Sequence, residues 1–532
     1  MALVLGLLVL AAHDVPYLLS LSFWLDEGWV AVTTRFPLSQ LPDVTNSTPI
    51  GWSAQLRLAT VPGTQSSRLL PLAFAGAAVV IAYWFARQLG WQRRAAAVCA
   101  GVLAGTSALL SPAMLARDDL KQYTADACLS LLVLALTSRL ERDWSRSRLA
   151  ALSVACWGGM LFSDAVTFVG AAAFTALCVT ALARRNWRRL AESCAVGAVT
   201  AVLMYGVYEV FDERAVTAGL IDGAHMRNYF IPLDGGLPAA FTFVTSRFAG
   251  LGGAFALGPA WLAVPLVLAG IVTMFWLGRR ATALAVVLLW PVVLLVNAVR
   301  RYPFLDERTN TYLIVITVVI AAIGVIGVGC WLPGAVRATV SARRLLSLRR
   351  QGWSTAMTAW LAGLCVLAAA AFGWAARPYL RSENIPSQNV RGQTRYVYAH
   401  EASDDVILVD TSSSYGFAYY WPVGRPSIRP DDNVAQDYEP YFPGQPRIVV
   451  AIGGTPPNVA AAVAQAAHQA QLGSCADIWF ITSQESPPRL AAWTAALTKQ
   501  GLSAVPVPDV AGLSLIQPNG SPCAASASGQ GG

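Results

Sequence analysis

The sequence predicts an α-helical polytopic membrane protein with a C-terminal soluble α/β domain. Hydrophobic residues make up 55% of its 532 residues and charged residues only 13%, which is more apolar surface than a soluble domain can bury. Apolar runs of about 20 residues, the length that a ~30 Å hydrocarbon core requires, recur up to residue 377. Beyond that residue, strand-like and helical patterns alternate, as in an α/β domain.

The apolar runs predict eleven membrane spans, which are 2–22, 68–89, 95–113, 120–138, 149–163, 165–183, 190–210, 251–276, 281–299, 311–331 and 354–376. Arginines gather in every second loop, and acids gather in the alternate loops. Because short cytoplasmic loops carry the Lys/Arg excess, the N-terminus is predicted to be cytoplasmic. We expect a plasma-membrane protein whose C-terminal domain is extracytoplasmic. The first helix is expected to remain, since it lacks a basic n-region and a cleavage site.

The net charge of +8 is explained mostly by this orientation signal. The arginines lie in short juxtamembrane loops and do not line one face of a soluble domain, so the charge gives no support for nucleic-acid binding. We find no repeat of fixed period and no CxxC, HExxH or GxSxG motif. Gly453-Gly454 follows a predicted strand, but its spacing matches neither a Rossmann nor a P-loop fingerprint.

The predicted domains are a membrane domain at 1–377, an α/β domain at 378–517 and a disordered tail at 518–532 that is rich in Ser, Gly and Ala. The predicted strands are 405–410, 447–452, 477–482 and 513–517, and the predicted helices are 414–421, 458–471 and 489–500. Their alternation predicts a largely parallel sheet. Cys475 and Cys523 could form a disulfide if this domain is extracytoplasmic.

Two adjacent acids, Asp26 and Glu27, follow the first predicted span. Acids at a membrane boundary are costly unless they face a cavity, pair with cations or take part in chemistry, so the pair is a candidate site. The alternative is that the two acids only cap an interfacial helix.

Cations and further acids occur in two other outer loops. One turn carries Arg117, Asp118, Asp119, Lys121 and Tyr123, and a later loop carries Arg301 and Arg308. Arginines beside acids at a membrane surface suit group transfer from a lipid phosphate, because the cations hold the phosphate and a carboxylate takes the proton of the attacking hydroxyl. Ion pairing at a helix start and snorkelling to lipid headgroups are the alternatives. Asp164 is expected to cap a helix.

In order, these motifs resemble those of a known family. They are Asp26-Glu27, Thr48-Pro49-Ile50, the run Arg68 to Gly76, Ser111-Pro112, the run Arg117 to Tyr123, and Tyr302-Pro303-Phe304 with Arg308 and Tyr312. Over about residues 15 to 320, the chain resembles the GT-C glycosyltransferases of the protein-mannosyltransferase and bacterial family-39-like group. The C-terminal domain departs from that group, whose better-known members carry β-rich or helical appendages.

The resemblance implies an inverting transfer of a sugar from a polyprenyl-phosphate-linked donor to an extracytoplasmic acceptor, which would be a cell-envelope glycan, a glycolipid or a protein. Asp26 matches the acid that is implied as catalytic base, and Glu27 matches its companion. Asp119 matches an acid of the second outer loop, where Asp118 is its neighbour. Donor binding is expected to involve both aspartates together with Arg117, Lys121, Tyr123, Arg301 and Arg308.

Several alternatives stay open at this point. A divalent cation (Mg, Mn or Ca) could bridge Asp26, Asp119 and the phosphate, although the sequence does not require a cofactor. A lipid-linked sugar flippase would also need outer cations and acids, but it would be expected to show inverted repeats. A non-catalytic scaffold is a third interpretation. In the C-terminal domain, aromatic residues 415, 419, 420 and 421 either stack on sugar rings of the acceptor or pack in the core.

Overall fold

The computed structural model describes residues 1–45, 48–61, 64–116, 119–212, 227–254, 260–306, 308–339, 350–381, 388–430, 438–451, 453, 455–471, 476–483 and 486–518. The predicted disordered tail beyond residue 518, and both Cys475 and Cys523, lie outside these residues. The chain divides into two compact units. Unit 1 contains Met1–Val15 and Leu69–Asn384, and unit 2 contains Pro16–Arg68 and Ile385–Gly532. The sequence placed Pro16–Arg68 in the membrane domain, whereas these residues group with the C-terminal part of the chain.

Unit 1 is helical over the residues described. Its helices are Ala2–Leu7, Val9–Ala12, Leu69–Arg87, Arg94–Leu109, Pro112–Leu115, Tyr123–Arg142, Arg146–Met160, Ala165–Ala183, Trp187–Val207, Gly236–Ala254, Ala260–Trp276, Arg280–Ala298, Thr311–Thr339 and Arg350–Ala376. The first predicted span, 2–22, is not one helix. It is interrupted at His13, whose backbone is extended, and a new helix, Val15–Ser20, begins with Pro16 in its first turn, a position where proline is tolerated.

Seven helices within the described residues are long and apolar enough to cross a membrane, namely Ser66–Arg87, Tyr123–Arg142, Ala165–Ala183, Trp187–Phe211, Arg280–Ala298, Thr311–Trp331 and Thr355–Tyr379. Three shorter apolar helices are Ala2–Ala12, Arg94–Leu109 and Leu262–Trp276. The predicted span 149–163 corresponds to the helix Arg146–Met160, which belongs to neither set. The polytopic helical fold is thus confirmed, and the number of eleven spans stays a prediction.

The two most buried of these spans are Thr311–Trp331 and Tyr123–Arg142. The helix Thr311–Thr339 packs against Arg94–Leu109, Tyr123–Arg142 and Ala260–Trp276. Glycine allows one of these contacts, because a Cβ on Gly270 would lie 2.1 Å from the carbonyl oxygen of Ile320. Small residues permit such close backbone approach in membranes, where helix association depends on packing.

Unit 2 combines helices with two sheets. Its helices are Leu25–Thr33, Leu41–Val44, Ile50–Ala59, Val390–His400, Thr411–Tyr420, Pro456–Gln471 and Pro487–Lys499. Its strands are β1 (Val406–Val409), β2 (Ser427–Pro430), β3 (Tyr438–Tyr441), β4 (Ile448–Val450), β5 (Ile478–Ile481), β6 (Leu502–Pro506) and β7 (Leu513–Pro518). The larger sheet has the order β4-β1-β5-β7-β6, and β2 pairs with β3 in a separate antiparallel sheet.

The predicted α/β character of the C-terminal region is confirmed. Strands β1, β4, β5 and β7 coincide with the four predicted strands, and three helices coincide with the three predicted helices. The sheet is mixed, because β1 pairs in parallel with β4 and β5 whereas β7 pairs antiparallel with β5 and β6. The prediction missed β6, the β2–β3 pair and the helix Val390–His400. Apolar residues of β1, β4 and β5 form the core with Val459, Val463 and Trp493.

Within unit 2, residues from the two ends of the sequence are in direct contact. The hydroxyl of Tyr420 accepts hydrogen bonds from the backbone N–H of Phe23 and from Nε2 of Gln65. These contacts join Pro16–Arg68 and the C-terminal part of the chain in one compact unit.

Candidate functional site

The predicted acid pair opens the helix Leu25–Thr33, which we call the acid helix. Its N-cap is Trp24, with an extended backbone, and Asp26 and Glu27 occupy the first turn. Glu27 accepts a hydrogen bond from the backbone N–H of Trp24 at 3.4 Å. Acidic side chains are favourable at this end of a helix because the N-terminal N–H groups carry partial positive charge. One of the two acids therefore does cap a helix, as the alternative interpretation of the pair expected.

Glu27 also forms an ion pair with Arg68, and the side chains of both residues are 0% exposed. Nε of Arg68 donates to Oε1 of Glu27 at 2.8 Å, and Nη2 donates to Oε2. The remaining donors of Arg68 reach the carbonyls of Leu18, Leu21 and Ser22. Two parallel hydrogen bonds of this kind fix both the position and the orientation of a carboxylate.

The two acids of the pair therefore differ. Both carboxylate oxygens of Glu27 are engaged by a buried cation, whereas Asp26 is only partly buried. A proton acceptor must be reachable by the group that it deprotonates. Asp26 is thus the more accessible of the two acids, and Glu27 has the geometry that suits a support for the acid helix.

Unit 1 holds the second group of predicted residues. Nη2 of Arg308 lies 3.8 Å from Oδ2 of Asp119, with side-chain exposures of 27% and 9%. Asp119 lies shortly before the helix Tyr123–Arg142, and Arg308 lies shortly before the helix Thr311–Thr339. The fold thus brings together two of the predicted donor-binding residues, from loops far apart in the sequence.

The other predicted donor-binding residues have different environments. Lys121 and Tyr123 are buried, with 8% and 6% exposure, and Arg301 is exposed. Arg117 and Asp118 lie outside the described residues.

The loop that carries Arg301 and Arg308 is held by the amide of Asn297, which is fully buried. Nδ2 donates to the carbonyls of Tyr229 and Tyr302, at 2.9 and 2.8 Å, and Oδ1 accepts from the backbone N–H of Ile231 at 3.0 Å. This residue was not among those predicted from the sequence. The sequence feature that could have identified Asn297 is a polar amide near the end of an apolar span, because a buried amide is costly unless it is hydrogen-bonded.

Two further acids were missed or misassigned from the sequence. Asp126, with 2% exposure, belongs to the helix Tyr123–Arg142, and an acid within a predicted span is itself a signal of function. Asp164 stands at the N-cap of Ala165–Ala183, but its side chain makes no cap hydrogen bond. The expectation that its side chain caps this helix is therefore wrong. The carboxylate instead accepts a hydrogen bond from Nε2 of Gln122 at 3.5 Å. Burial raises the pKa of Asp164 to about 6.

The aromatic residues that follow Asp410 belong to the core of unit 2. Tyr415, Tyr419 and Trp421 have exposures of 4%, 5% and 2%. Trp29 contacts Tyr415 edge to face, and Phe23 contacts the ring of Tyr419 in the same manner. Their burial supports the interpretation as packing residues, and their partners include residues of the acid helix and of the segment just before it.

Within the part of the chain that the structure describes, no group of three or more His, Cys, Asp or Glu side chains is arranged to hold a metal ion. A neighbour of the Asp119 carboxylate is the guanidinium of Arg308, with Nη2 3.8 Å from Oδ2. A divalent cation that bridges Asp26 and Asp119 stays a prediction.

No protein-family model matches the sequence, and a comparison with curated proteins found no match. Solved structures do match. The oligosaccharyltransferase of Archaeoglobus fulgidus, in complex with Zn and sulfate, is 12% identical, with a TM-score of 0.50 over 90% of this chain and 68% of that chain. Apo ArnT from Cupriavidus metallidurans is 14% identical, with a TM-score of 0.53 over 96% and 95% of the two chains. The same protein bound to undecaprenyl phosphate is 13% identical, with a TM-score of 0.50 over 97% of each chain.

At these identities the likeness is one of fold. It extends over nearly the whole of this chain, including the C-terminal region. Both solved proteins are glycosyltransferases of the GT-C superfamily. The chain therefore has the GT-C fold, as the resemblance of its sequence motifs implied.

Proposed function

We propose that this protein is an inverting membrane glycosyltransferase. It transfers a sugar from a polyprenyl-phosphate-linked donor to a hydroxyl of a cell-envelope glycan, a glycolipid or a protein on the extracytoplasmic face. The observation that carries the proposal is the likeness of the whole chain to ArnT, whose solved structure holds undecaprenyl phosphate. The N-terminus is cytoplasmic in this proposal, and the region from residue 378 forms an extracytoplasmic α/β domain.

Asp26 is the catalytic base in this proposal. Its carboxylate accepts the proton of the acceptor hydroxyl while the hydroxyl oxygen attacks the anomeric carbon from the side opposite the phosphate. The bond between the anomeric carbon and the phosphate oxygen breaks, so the configuration is inverted. The products are the glycosylated acceptor and polyprenyl phosphate. The contacts of Glu27 with Arg68 and Trp24 favour a positioning role for that residue.

Arg308 and Lys121 supply positive charge to the donor phosphate in this proposal, with Asp119 orienting Arg308. The phosphate is a diester in the donor and gains a negative charge when it leaves as a monoester. A cation held near the leaving group stabilises that charge as it develops. The partial exposure of Arg308, 27%, supports its access to a ligand. Arg117, Asp118, Tyr123 and Arg301 are assigned to the same donor site from the sequence.

The experiment that tests this function compares Asp26→Asn with the unmodified protein, using a polyprenyl-phosphate-linked sugar and membrane extract that contains the native acceptor. We expect the variant to be expressed and to bind the donor but to release polyprenyl phosphate at least a hundredfold more slowly, as removal of a general base predicts. Asp43→Asn is the matched control, because Asp43 is an exposed acid in the same segment.

Near-normal release by Asp26→Asn would refute the role of Asp26. Movement of the intact donor across the membrane without release of polyprenyl phosphate would favour the flippase alternative.

A further inference from the structure

The acid helix rests on a helix of the C-terminal region, Thr411–Tyr420, within unit 2. The two helices approach closely at a pair of glycines. A Cβ on Gly28 would lie 3.0 Å from the backbone nitrogen of Gly416 and 3.3 Å from its Cα, which is closer than side chains normally pack against backbone. Gly28 is two residues from Asp26, so the position of the proposed base is coupled to the position of Gly416.

The far end of the acid helix is tied to the same partner. Arg35, two residues beyond Thr33, donates through Nη1 to the carbonyls of Ala418, Tyr419 and Trp421, and through Nη2 to the carbonyl of Gly424. The last carbonyls of a helix have no partner within the helix and need donors from elsewhere. Arg35, from the N-terminal part of unit 2, therefore completes the C-terminus of a helix that lies almost 400 residues later.

The near end of the acid helix is held by Tyr420. Its hydroxyl accepts from the backbone N–H of Phe23 at 2.9 Å and from Nε2 of Gln65 at 3.0 Å. The ring of Tyr420 also stacks on the fully buried ring of Phe23, with centroids 5.8 Å apart. Arg391 adds contacts on the same side, from its backbone N–H to Oγ of Ser22 and from Nη1 to Oε1 of Gln65, both at 3.0 Å.

We propose that the C-terminal α/β domain is the support that holds the catalytic acid helix, and that Tyr420 is a positioning residue for Asp26. This inference rests on the proposed function of Asp26. It gives the domain a role in the transfer step itself, in contrast to the acceptor-binding role that its aromatic residues suggested in the sequence. Three independent connections carry it, namely the Gly28–Gly416 approach, the Arg35 cap and the Tyr420 hydrogen bonds.

The consequence for catalysis follows from geometry. A base must lie within hydrogen-bond reach of the proton that it removes, and a displacement of about 1 Å can cost about a hundredfold in rate. Loss of one connection out of three should loosen the acid helix without unfolding the domain. The transfer step should then slow, while the affinity for the donor should stay the same.

The test uses the full-length protein with Tyr420→Phe, which keeps the ring and removes only the hydroxyl. We expect kcat to fall roughly tenfold with an unchanged KM for the lipid-linked donor, and we expect faster deuterium exchange in residues 25–33. Arg35→Lys is a second variant, because an ammonium group cannot reach four carbonyls with a fork of donors. The matched control is Tyr398→Phe, since the side chain of Tyr398 is 49% exposed.

Wild-type kcat and wild-type exchange in both variants would overturn the inference. A raised KM for the acceptor with unchanged exchange would overturn it as well, because it would indicate a direct acceptor contact. The exchange measurement does not depend on sugar transfer. Normal transfer by Asp26→Asn would refute the proposed function, whereas normal exchange in the Tyr420→Phe protein would refute this inference. The two results are therefore distinguishable.

Discussion

Glu27 and Arg68 form a bidentate ion pair in which neither side chain has any exposed surface. Burial of one uncompensated charge is costly, whereas the matched pair satisfies both partners. The pair links the first turn of the acid helix to Arg68, the last residue of Pro16–Arg68. The other donors of Arg68 bind the carbonyls of Leu18, Leu21 and Ser22. A single guanidinium group thereby holds Glu27, which follows Asp26, and three backbone carbonyls of residues 18–22, which precede it.

Breaking this pair should lower the stability of the folded protein, in addition to any effect on sugar transfer. We expect Arg68→Met to lower the free energy of unfolding by about 3–5 kcal/mol, because it leaves the buried Glu27 carboxylate without its counter-charge. The double variant Glu27→Met with Arg68→Met should recover much of that loss. The measurement is the midpoint of thermal unfolding in detergent. Arg142→Met is the control, since Arg142 pairs with Asp143 at the surface, with exposures of 55% and 52%. Equal midpoints for the single and double variants would contradict the expectation.

Replacing the cation of the second group should weaken donor use. Arg308→Lys keeps the charge but removes the planar fork that matches a phosphate. We expect kcat/KM for the lipid-linked donor to fall about 10- to 100-fold, which corresponds to roughly 1.4–3 kcal/mol of lost charge-assisted hydrogen bonding. Steady-state kinetics at varied donor concentration measure this change, and Arg184→Lys, in an exposed turn, should behave as the unmodified protein. Unchanged kcat/KM for Arg308→Lys would remove Arg308 from the donor site.

Asn297→Ala should release the loop that carries Arg301 and Arg308. The substitution removes the three hydrogen bonds to Tyr229, Ile231 and Tyr302, and each buried group left without a partner costs about 1–3 kcal/mol. We expect a lower thermal midpoint and faster deuterium exchange in residues 299–306. Asn228→Ala is the control, because that side chain is exposed. Wild-type exchange in the loop would show that other contacts hold it.

The carboxyl of Asp164 should make stability depend on pH. Burial raises its pKa from 3.8 to about 6, so the folded protein binds this proton more tightly than the unfolded chain does. The stability that this group contributes is fully present below about pH 4 and is lost as the pH rises through about 6. We expect Asp164→Asn to lose less stability than the unmodified protein as the pH rises from 4 to 7. Thermal midpoints across that range measure the difference. Asp143→Asn, at an exposed site, should follow the unmodified protein, and a parallel curve for Asp164→Asn would contradict the prediction.

Local patterns were sufficient to predict much of the fold. Strands β1, β4, β5 and β7 and the helices around them have continuous apolar runs or clear periodicity, and the structure confirms them. The strand β6 was missed because it is short and ends in Pro506, and proline within a run argues against a central strand. The strands β2 and β3 contain Ser, Arg, Pro and Glu, which carry little strand signal. The helix Val390–His400 was missed because it contains few apolar residues, and half of its buried face is made of the polar side chains of Gln393 and Thr394.

For the site, the order of the amino acids already specifies which residue types are present and in which loops they lie. An acid pair after an apolar run, and cations in two other loops, are local features that hydropathy and charge patterns reveal. The pairing of these residues depends on how the folded chain packs. Glu27 and Arg68 are 41 positions apart, and Tyr420 meets Phe23 across 397 positions. No periodicity links residues at such separations, because their proximity results from the packing of whole helices and strands. The same packing buries Glu27 in an ion pair and leaves Asp26 partly exposed.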